Sequence, residues 1–198
     1  MPEVTAIVLS AGRSLRMGDE NKLFLPFQGA TIIATVIDNL MKSDINDIII
    51  VTSDFSKDKL LPYQNGRIQI VENTEYQKGM TTSIQKGVHS ATNAAGYMIC
   101  LGDQPFITPD TYNLLIKVFH KHYAQNSKKI IVPFYKKEKG NPVIFSSHYK
   151  KTILAHREPE GCKEIVQDNQ RHIIRVQINT EEILKDIDTL EDYENISG

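Results

Sequence analysis

The sequence predicts one α/β domain over residues 1–198: a three-layer, Rossmann-like fold with a mainly parallel sheet and helices on both faces. Three observations lead there. Short β-branched runs alternate with stretches of helical period, the runs read as buried strands, and no repeat, low-complexity tract or linker interrupts the order. Continuous apolar runs belong to strands covered on both faces, and alternation of strand with helix produces parallel crossover units.

The elements follow in order. Ala6-Ile7-Val8-Leu9, Ile48-Ile49-Ile50-Val51, Ile68-Gln69-Ile70-Val71, Tyr97-Met98-Ile99-Cys100-Leu101 and Ile130-Ile131-Val132 read as buried strands. Between them Ile32, Ile33, Val36, Ile37, Leu40 and Met41 make one apolar helical stripe. Thr108-Pro109-Asp110 supplies a cap and a first-turn proline for a helix whose apolar positions are Leu114, Leu115, Val118 and Phe119. After Pro133 the pattern changes to a strand at Pro142-Val143-Ile144-Phe145, a helix from Ser146 to about Ala155, a helix near Cys162 to Val166 and a strand from Ile173 to Ile178. This half is expected to extend the same sheet, with the charge run Lys136 to Lys139 as a solvated loop.

Composition excludes several function classes. A chain of 198 residues can bury roughly 70% of its unfolded surface, so no disulfide or structural metal is required. The net charge of −1 gives no general attraction to nucleic acid or an anionic membrane, and the basic residues are not interleaved with an aromatic stripe. Cys100 and Cys162 have no metal-like spacing, which fits a reducing, cytoplasmic setting. The N-terminus has no basic start or signal-length apolar segment, and no stretch approaches about 18 apolar residues. The histidines, His120 and His122 on one helix and the other four scattered, form no metal-spaced cluster.

Any polyanion site is therefore local, and one stretch has the composition for it. The first strand ends at Leu9 and leads into Ser10-Ala11-Gly12-Arg13-Ser14-Leu15-Arg16-Met17-Gly18, with Lys22 just beyond. Loops at the carboxyl ends of parallel strands present N–H groups to phosphates; glycine allows close approach and the cations neutralise charge. The spacing is neither that of a Walker loop nor that of a dinucleotide fingerprint. A solvated turn with arginines facing water remains the competing reading of the composition alone.

Five ordered motifs carry a resemblance that covers nearly the whole chain. They are Leu9-Ser10-Ala11-Gly12-Arg13-Ser14-x-Arg16-Met17-Gly18 with Asn21-Lys22-Leu23, Tyr76-x-x-Gly79-Met80-x-x-Ser83-Ile84-x-x-Gly87, Leu101-Gly102-Asp103-Gln104-Pro105-Phe106, Gly140-Asn141-Pro142-Val143, and Asp186-Ile187-Asp188-Thr189-x-Glu191-Asp192-Tyr193. Together they resemble the molybdenum cofactor nucleotidyltransferases, in particular the cytidylyl-transferring branch. The resemblance implies a nucleoside triphosphate bound by Leu9, Ser10, Ala11, Gly12, Arg13, Arg16 and Lys22, with Gly79 and Ser83 against the nucleoside. It implies Asp103 and Asp188 on Mg²⁺, and Arg16, Lys22 and Asp103 as the catalytic groups. CTP, molybdopterin or molybdenum cofactor, and a recipient molybdoenzyme are the implied partners. The guanylyl-transferring branch has glycine where this chain has Ala11, which implies CTP.

The residues themselves leave some of this open. Asp103 follows a buried strand and suits a hard cation that takes one or two carboxylates with phosphates and waters, but it is also placed to cap the turn before Pro105. For the second ligand, Asp186, Asp192 and Asn141 compete with Asp188, and the Asp188-Thr189 pair could cap a helix ahead of Glu191. Thr81, Thr82 and Ser83 make a good helix start by capping alone. Two positions depart from the resembled pattern: Leu190 in place of proline, and Gly161-Cys162-Lys163 in place of Gly-Ala-Arg. At the second, lysine keeps the charge but loses the bidentate fork of arginine. A phosphate monoester acceptor has its second pKa near about 6, so no strong general base is required and no Ser-His-Asp or Cys-His constellation is expected.

Overall fold

The structure, a computed structural model, describes residues 1–12 and 21–197. Among the described residues, eight strands form one sheet: β1 (Val4–Ser10), β4 (Asp47–Thr52), β5 (Ile68–Glu72), β6 (Gly96–Leu101), β7 (Ile130–Tyr135), β8 (Glu138–Lys139), β9 (Val143–Ser146) and β10 (Ile173–Ile178). The order is β10-β7-β9-β6-β1-β4-β5, with β8 paired to β7. β2 (Pro26–Phe27) and β3 (Ala30–Thr31) make a separate hairpin. β6, β1, β4 and β5 are mutually parallel, as are β7 and β10, while β9 runs antiparallel to both its neighbours. The sheet is mainly parallel, as the sequence predicts.

The unbroken apolar runs are explained by two cores, one on each face. Ala6, Val8, Ile48, Ile50, Met98 and Cys100 point to one face, where they meet α1 (Ile32–Met41) and α4 (Pro109–Tyr123). Their alternates Ile7, Ile49, Val51 and Ile99 point to the other, under α3 (Met80–Ser90), α5 (Lys150–Ala155) and α6 (Lys163–Asp168). Each fully buried aliphatic side chain contributes about 1.5–3 kcal/mol, so both faces drive folding. α2 (Asp54–Leu60) joins β4 to β5, and α7 (Leu190–Ser197) ends the described chain. The caps follow the sequence: the Thr31 and Thr108 side chains accept from the N–H groups of Ala34 and Thr111.

Four expectations need correction. The buried face of α4 is Thr111, Tyr112, Leu115, Ile116 and Phe119; of the apolar positions read from the sequence, Leu114 is 40% exposed and Val118 only partly buried. The helix expected from Ser146 begins only at Lys150, after a 3-10 turn Ser147–Tyr149, because Ser146 is still paired with Gly96 in the sheet. The helix near Cys162 to Val166 runs two residues further, Lys163–Asp168. The charge run 136–139 is exposed, as expected, but is built as the turn of a hairpin in which Glu138 and Lys139 pair with Tyr135 and Phe134.

This topology locates the crevice. α1 carries the chain from β1 outward to β4 on one face, and α3 returns it from β5 to β6 on the other. The order reverses beside β1, and ligands bind at such switch points beyond the carboxyl ends of the strands. Ala11 and Gly12, Asn73, and Gly102 with Asp103 all follow strands that end on this edge.

Candidate functional site

The site is assembled by two close backbone approaches. Gly102 follows β6, its N–H donates to the Leu9 carbonyl at 3.1 Å, and a Cβ on it would stand 2.8 Å from that same oxygen. Only glycine lets the β6 turn lie against the end of β1, which sets Asp103 next to the Ser10-Ala11-Gly12 loop. The second approach brings in the C-terminal segment. Asn141 N–H donates to the Ile183 carbonyl at 3.0 Å, and a Cβ on Gly140 would be 2.3 Å from it. Ile187 N–H then donates to the Asp103 carbonyl at 3.1 Å. With the Ile187 side chain fully buried, the flanking Asp186 and Asp188 are left on the crevice side.

Lys22 is the centre of this arrangement. It opens a 3-10 turn, Lys22–Phe24, capped by the Asn21 side chain, which accepts from Leu23 N–H. Leu23 is buried and fixes the turn. The Lys22 Nζ donates to Asp103 Oδ2 at 2.8 Å and to Asp188 Oδ1 at 2.6 Å. Burial works to release the Lys22 proton, but the Asp103 and Asp188 carboxylates outweigh it, and the ammonium is held above its ordinary value. Burial, then the charges of Asp188 and Asp103, raise the nearby Asp186 carboxyl. Asp103 Oδ1 is buried and has no hydrogen-bond partner among the described residues.

That free oxygen makes the pair fit a hard divalent cation. Two carboxylates converge on one positive charge, and one presents an unused ligand atom, as a cation completed by substrate phosphates and water requires. Among the described residues no group of three or more His, Cys, Asp or Glu side chains is placed to hold a metal, so the phosphates would have to complete the shell. The capping alternative falls to Thr189 and Asp192: Asp192 Oδ2 accepts from the Thr189 N–H and hydroxyl, and Asp192 N–H donates back to Thr189 Oγ1. Asp188 keeps its carboxylate free for Lys22.

The remaining predicted residues stand as follows. Arg13 and Arg16 lie outside the described residues. Leu9 ends beside Gly102, Ala11 is 2% exposed, and Gly12 is exposed with open space where a Cβ would be. The Ser10 hydroxyl is committed to the fold, donating to the Val51 carbonyl at 2.9 Å. Gly79, at φ +112°, caps α3 without a side-chain hydrogen bond, and a Cβ on it would meet Pro159 at 2.6 Å. The loop carrying Pro159 is tied to α3 by Thr81, whose hydroxyl donates to the Glu158 carbonyl and accepts from Gly161 N–H. Ser83 is buried and accepts from Asn73.

A second part of the crevice was not read from the sequence. A cleft of about 260 Å³ runs from Leu101 past Met80 and Ile84 to Lys139, Asn141, Cys162 and Lys163. Its walls come from segments far apart in sequence, so spacing carried no signal; the departure at Gly161-Cys162-Lys163 was the one pointer. Burial pushes the Cys162 thiol up to about 12, so it stays a neutral wall residue.

An α/β sheet, mainly parallel, with a lysine and paired carboxylates at its switch point narrows the class, and sequence comparison gives the family. Residues 6–174 match the model of the MobA-like NTP transferase domain, and the chain belongs to that family of nucleotidyltransferases. It is 25% identical to a probable molybdenum cofactor guanylyltransferase of Methanosarcina mazei, over 98% of this chain and 90% of the relative. It is 27% identical to the purine catabolism protein PucB of Bacillus subtilis, over 98% and 96%. Among solved structures it resembles Rv0371c of Mycobacterium tuberculosis, with TM-score 0.83, 22% identity and coverage of 100% and 99%. The manganese complex of the same protein superposes with TM-score 0.75, 21% identity and coverage of 98% and 97%. At these identities the structures support the fold.

Proposed function

We propose that the chain transfers the cytidylyl group of CTP to the terminal phosphate of molybdopterin or the molybdenum cofactor. An acceptor phosphate oxygen attacks the α-phosphorus, the bond to the β-phosphate oxygen breaks, and pyrophosphate leaves with its electron pair, giving a cytosine dinucleotide form of the cofactor. The observation that carries the reading is the convergence of Asp103 and Asp188 on Lys22 beside the β1 loop. Asp103 and Asp188 would hold Mg²⁺ together with substrate phosphates, and the ion would supply charge neutralisation there; Rv0371c, which shares this fold, has been solved as a manganese complex.

The chain's own residues do the rest by positioning and electrostatics, which suffices for phosphoryl and nucleotidyl transfer. Lys22, which pairs with Asp103 and Asp188, would turn its ammonium to the triphosphate, and Arg13 and Arg16 would take the phosphate-binding roles that the resemblance implies. Gly12 admits a phosphate close to the backbone. The acceptor enters the 260 Å³ cleft, whose apolar walls suit a flat heterocycle and whose Lys139 and Lys163 suit its anionic end. The product passes to a recipient molybdoenzyme. A non-catalytic carrier would not need Lys22 poised between two carboxylates.

CTP is assigned on Ala11. What supports it is the resemblance, in which the guanylyl-transferring branch has glycine at this position: a methyl there would narrow the space for a purine, and one such contact gives at most a few kcal/mol. GTP is the second reading, favoured by the name of the M. mazei relative. The test is incubation with equal CTP and GTP, Mg²⁺ and molybdenum cofactor, followed by mass analysis. CTP is expected to be preferred by at least about tenfold in kcat/KM, roughly 1.4 kcal/mol, and Ala11→Gly to narrow that gap. Excess guanine dinucleotide overturns the cytidine assignment and keeps the transferase; absence of any dinucleotide overturns the acceptor.

A further inference from the structure

We propose that Pro26 and Phe27, in the hairpin that follows Lys22, align both carboxylate segments on that lysine, with Phe106 and Tyr193 as the positioning residues that dock there. The inference deepens, and rests on, the reading of Lys22, Asp103 and Asp188 as a metal and triphosphate site. It gives a role to the ends of two sequence motifs, Phe106 and Tyr193, that the reaction itself leaves unexplained.

The hairpin is tied to Lys22 through its own backbone. Gln28 and Gly29 turn the chain with φ of +48° and +84°, the two positive values that a two-residue primed turn requires, so Phe27 pairs directly with Ala30. The Leu25 N–H donates to the Lys22 carbonyl at 3.1 Å, and the Leu25 carbonyl accepts from Ile32 N–H at 3.2 Å. Lys22, the hairpin and the start of α1 are therefore joined in one short span.

Both carboxylate segments dock on two consecutive residues of this span. Phe27 is 4% exposed and meets Phe106 edge to face, with ring centroids 5.5 Å apart and planes at 88°, a geometry that contributes beyond the area it buries. Phe106 lies three residues after Asp103. The Asn39 amide on α1 donates to the carbonyls on either side of Phe106, Pro105 at 3.3 Å and Ile107 at 3.0 Å, which fixes the turn that presents the ring. The second docking comes from the C-terminal segment. Tyr193 lies five residues after Asp188, and its hydroxyl donates to the Pro26 carbonyl at 2.8 Å. The start of α7 sets the span between them: Asp188 N–H donates to Asp192 Oδ2 at 3.2 Å, and Tyr193 N–H donates to the Thr189 carbonyl at 3.1 Å.

The reaction needs these ties because it opens another. In the free protein the Lys22 ammonium holds Asp188 at 2.6 Å, and in the proposed reaction that ammonium turns to the triphosphate. The Asp188 side chain is 47% exposed, so packing alone does not restrain it. The Tyr193 hydroxyl bonds to backbone and takes no part in the transfer, so it keeps the Asp188 segment beside Asp103 after Lys22 has left.

The test is calorimetric titration of the full chain with inorganic tripolyphosphate, with and without Mg²⁺; the tightening that Mg²⁺ produces is the quantity read. Tyr193→Phe removes the hydroxyl and keeps the ring. It is expected to reduce the tightening roughly twofold to tenfold, the range of one net hydrogen bond, with affinity in the absence of Mg²⁺ changed by less than about twofold. In an Asp188→Asn background the same substitution is expected to leave the tightening as it finds it, because Tyr193 acts through Asp188. Phe106→Leu, which acts through Asp103, is expected to reduce the tightening in both backgrounds. Equal losses with and without Mg²⁺, or a Tyr193→Phe reduction of the same size in both backgrounds, mark a purely structural contact and overturn the inference. An unchanged tightening overturns it as well. If Phe106→Leu fails to fold, Tyr193→Phe decides alone. Absence of any Mg²⁺-dependent tightening in the unaltered chain overturns instead the site reading on which the inference rests.

Discussion

Lys22 has a double role: in the free protein it neutralises Asp103 and Asp188 at 2.8 and 2.6 Å, and in the proposed reaction it faces the triphosphate. Lys22→Ala is expected to raise the apparent Kd for CTP by one to two decades, the size of one lost charge-assisted hydrogen bond at about 1.5–3 kcal/mol. Titration at fixed Mg²⁺ measures it; unchanged affinity and rate would reduce Lys22 to a structural cation. The pH dependence has a definite sign. The folded-state pKa lies above the ordinary 10.5, so the ion-pair contribution is fully present below that value and is lost as pH rises through the folded one. The stability difference between the unaltered chain and Lys22→Met, measured by urea unfolding, should be constant in the neutral range and shrink only above about pH 10.5. Asp103 was singled out because it follows a predicted strand end and Lys22 because it stands just beyond a loop of glycines and cations; their contact at 2.8 Å joins segments far apart in sequence and had no signal in the spacing. Ser10 was assigned to the nucleotide although its hydroxyl holds β1 to β4.

The elements carry the coupling between motifs that are distant in sequence. Gly140 looks like turn punctuation in the sequence, yet its place is fixed by the Ile183 carbonyl, which an added Cβ would approach to 2.3 Å. Gly140→Ala is therefore expected to push back the 3-10 turn Glu181–Leu184 and with it Asp188. A displacement of about 1 Å at reacting groups costs up to about 10²-fold in rate, so kcat should fall while tripolyphosphate binding at the β1 loop stays within a few fold. Kinetics with a parallel titration separate the two, and an unchanged kcat would remove the C-terminal segment from the site. The motif itself was legible; the reason for its glycine was not, because the contact joins two loops with no shared period. The same holds for the hairpin at Glu138 and Lys139, which the charge run concealed.

At the scale of the molecule, the mainly parallel sheet and its helix-covered faces were legible because the strand runs are apolar on both alternates, and two buried cores account for that. The antiparallel insertion of β9 between β6 and β7 was not, since a four-residue apolar run specifies neither direction nor neighbour. No helix among the described residues is long and apolar enough to cross a membrane. The switch point beside β1 brings the loop, Lys22 and two carboxylates together, and the proposed chemistry requires that meeting to hold the metal and the triphosphate. Asp103→Asn tests it most directly, being nearly isosteric while removing one full charge. Formation of the cofactor dinucleotide from CTP should be measured at saturating Mg²⁺ alongside the melting temperature. A fold that persists with activity reduced by at least about 10²-fold, roughly 2.7 kcal/mol in the barrier, is the expected result; turnover equal to that of the unaltered chain would contradict it.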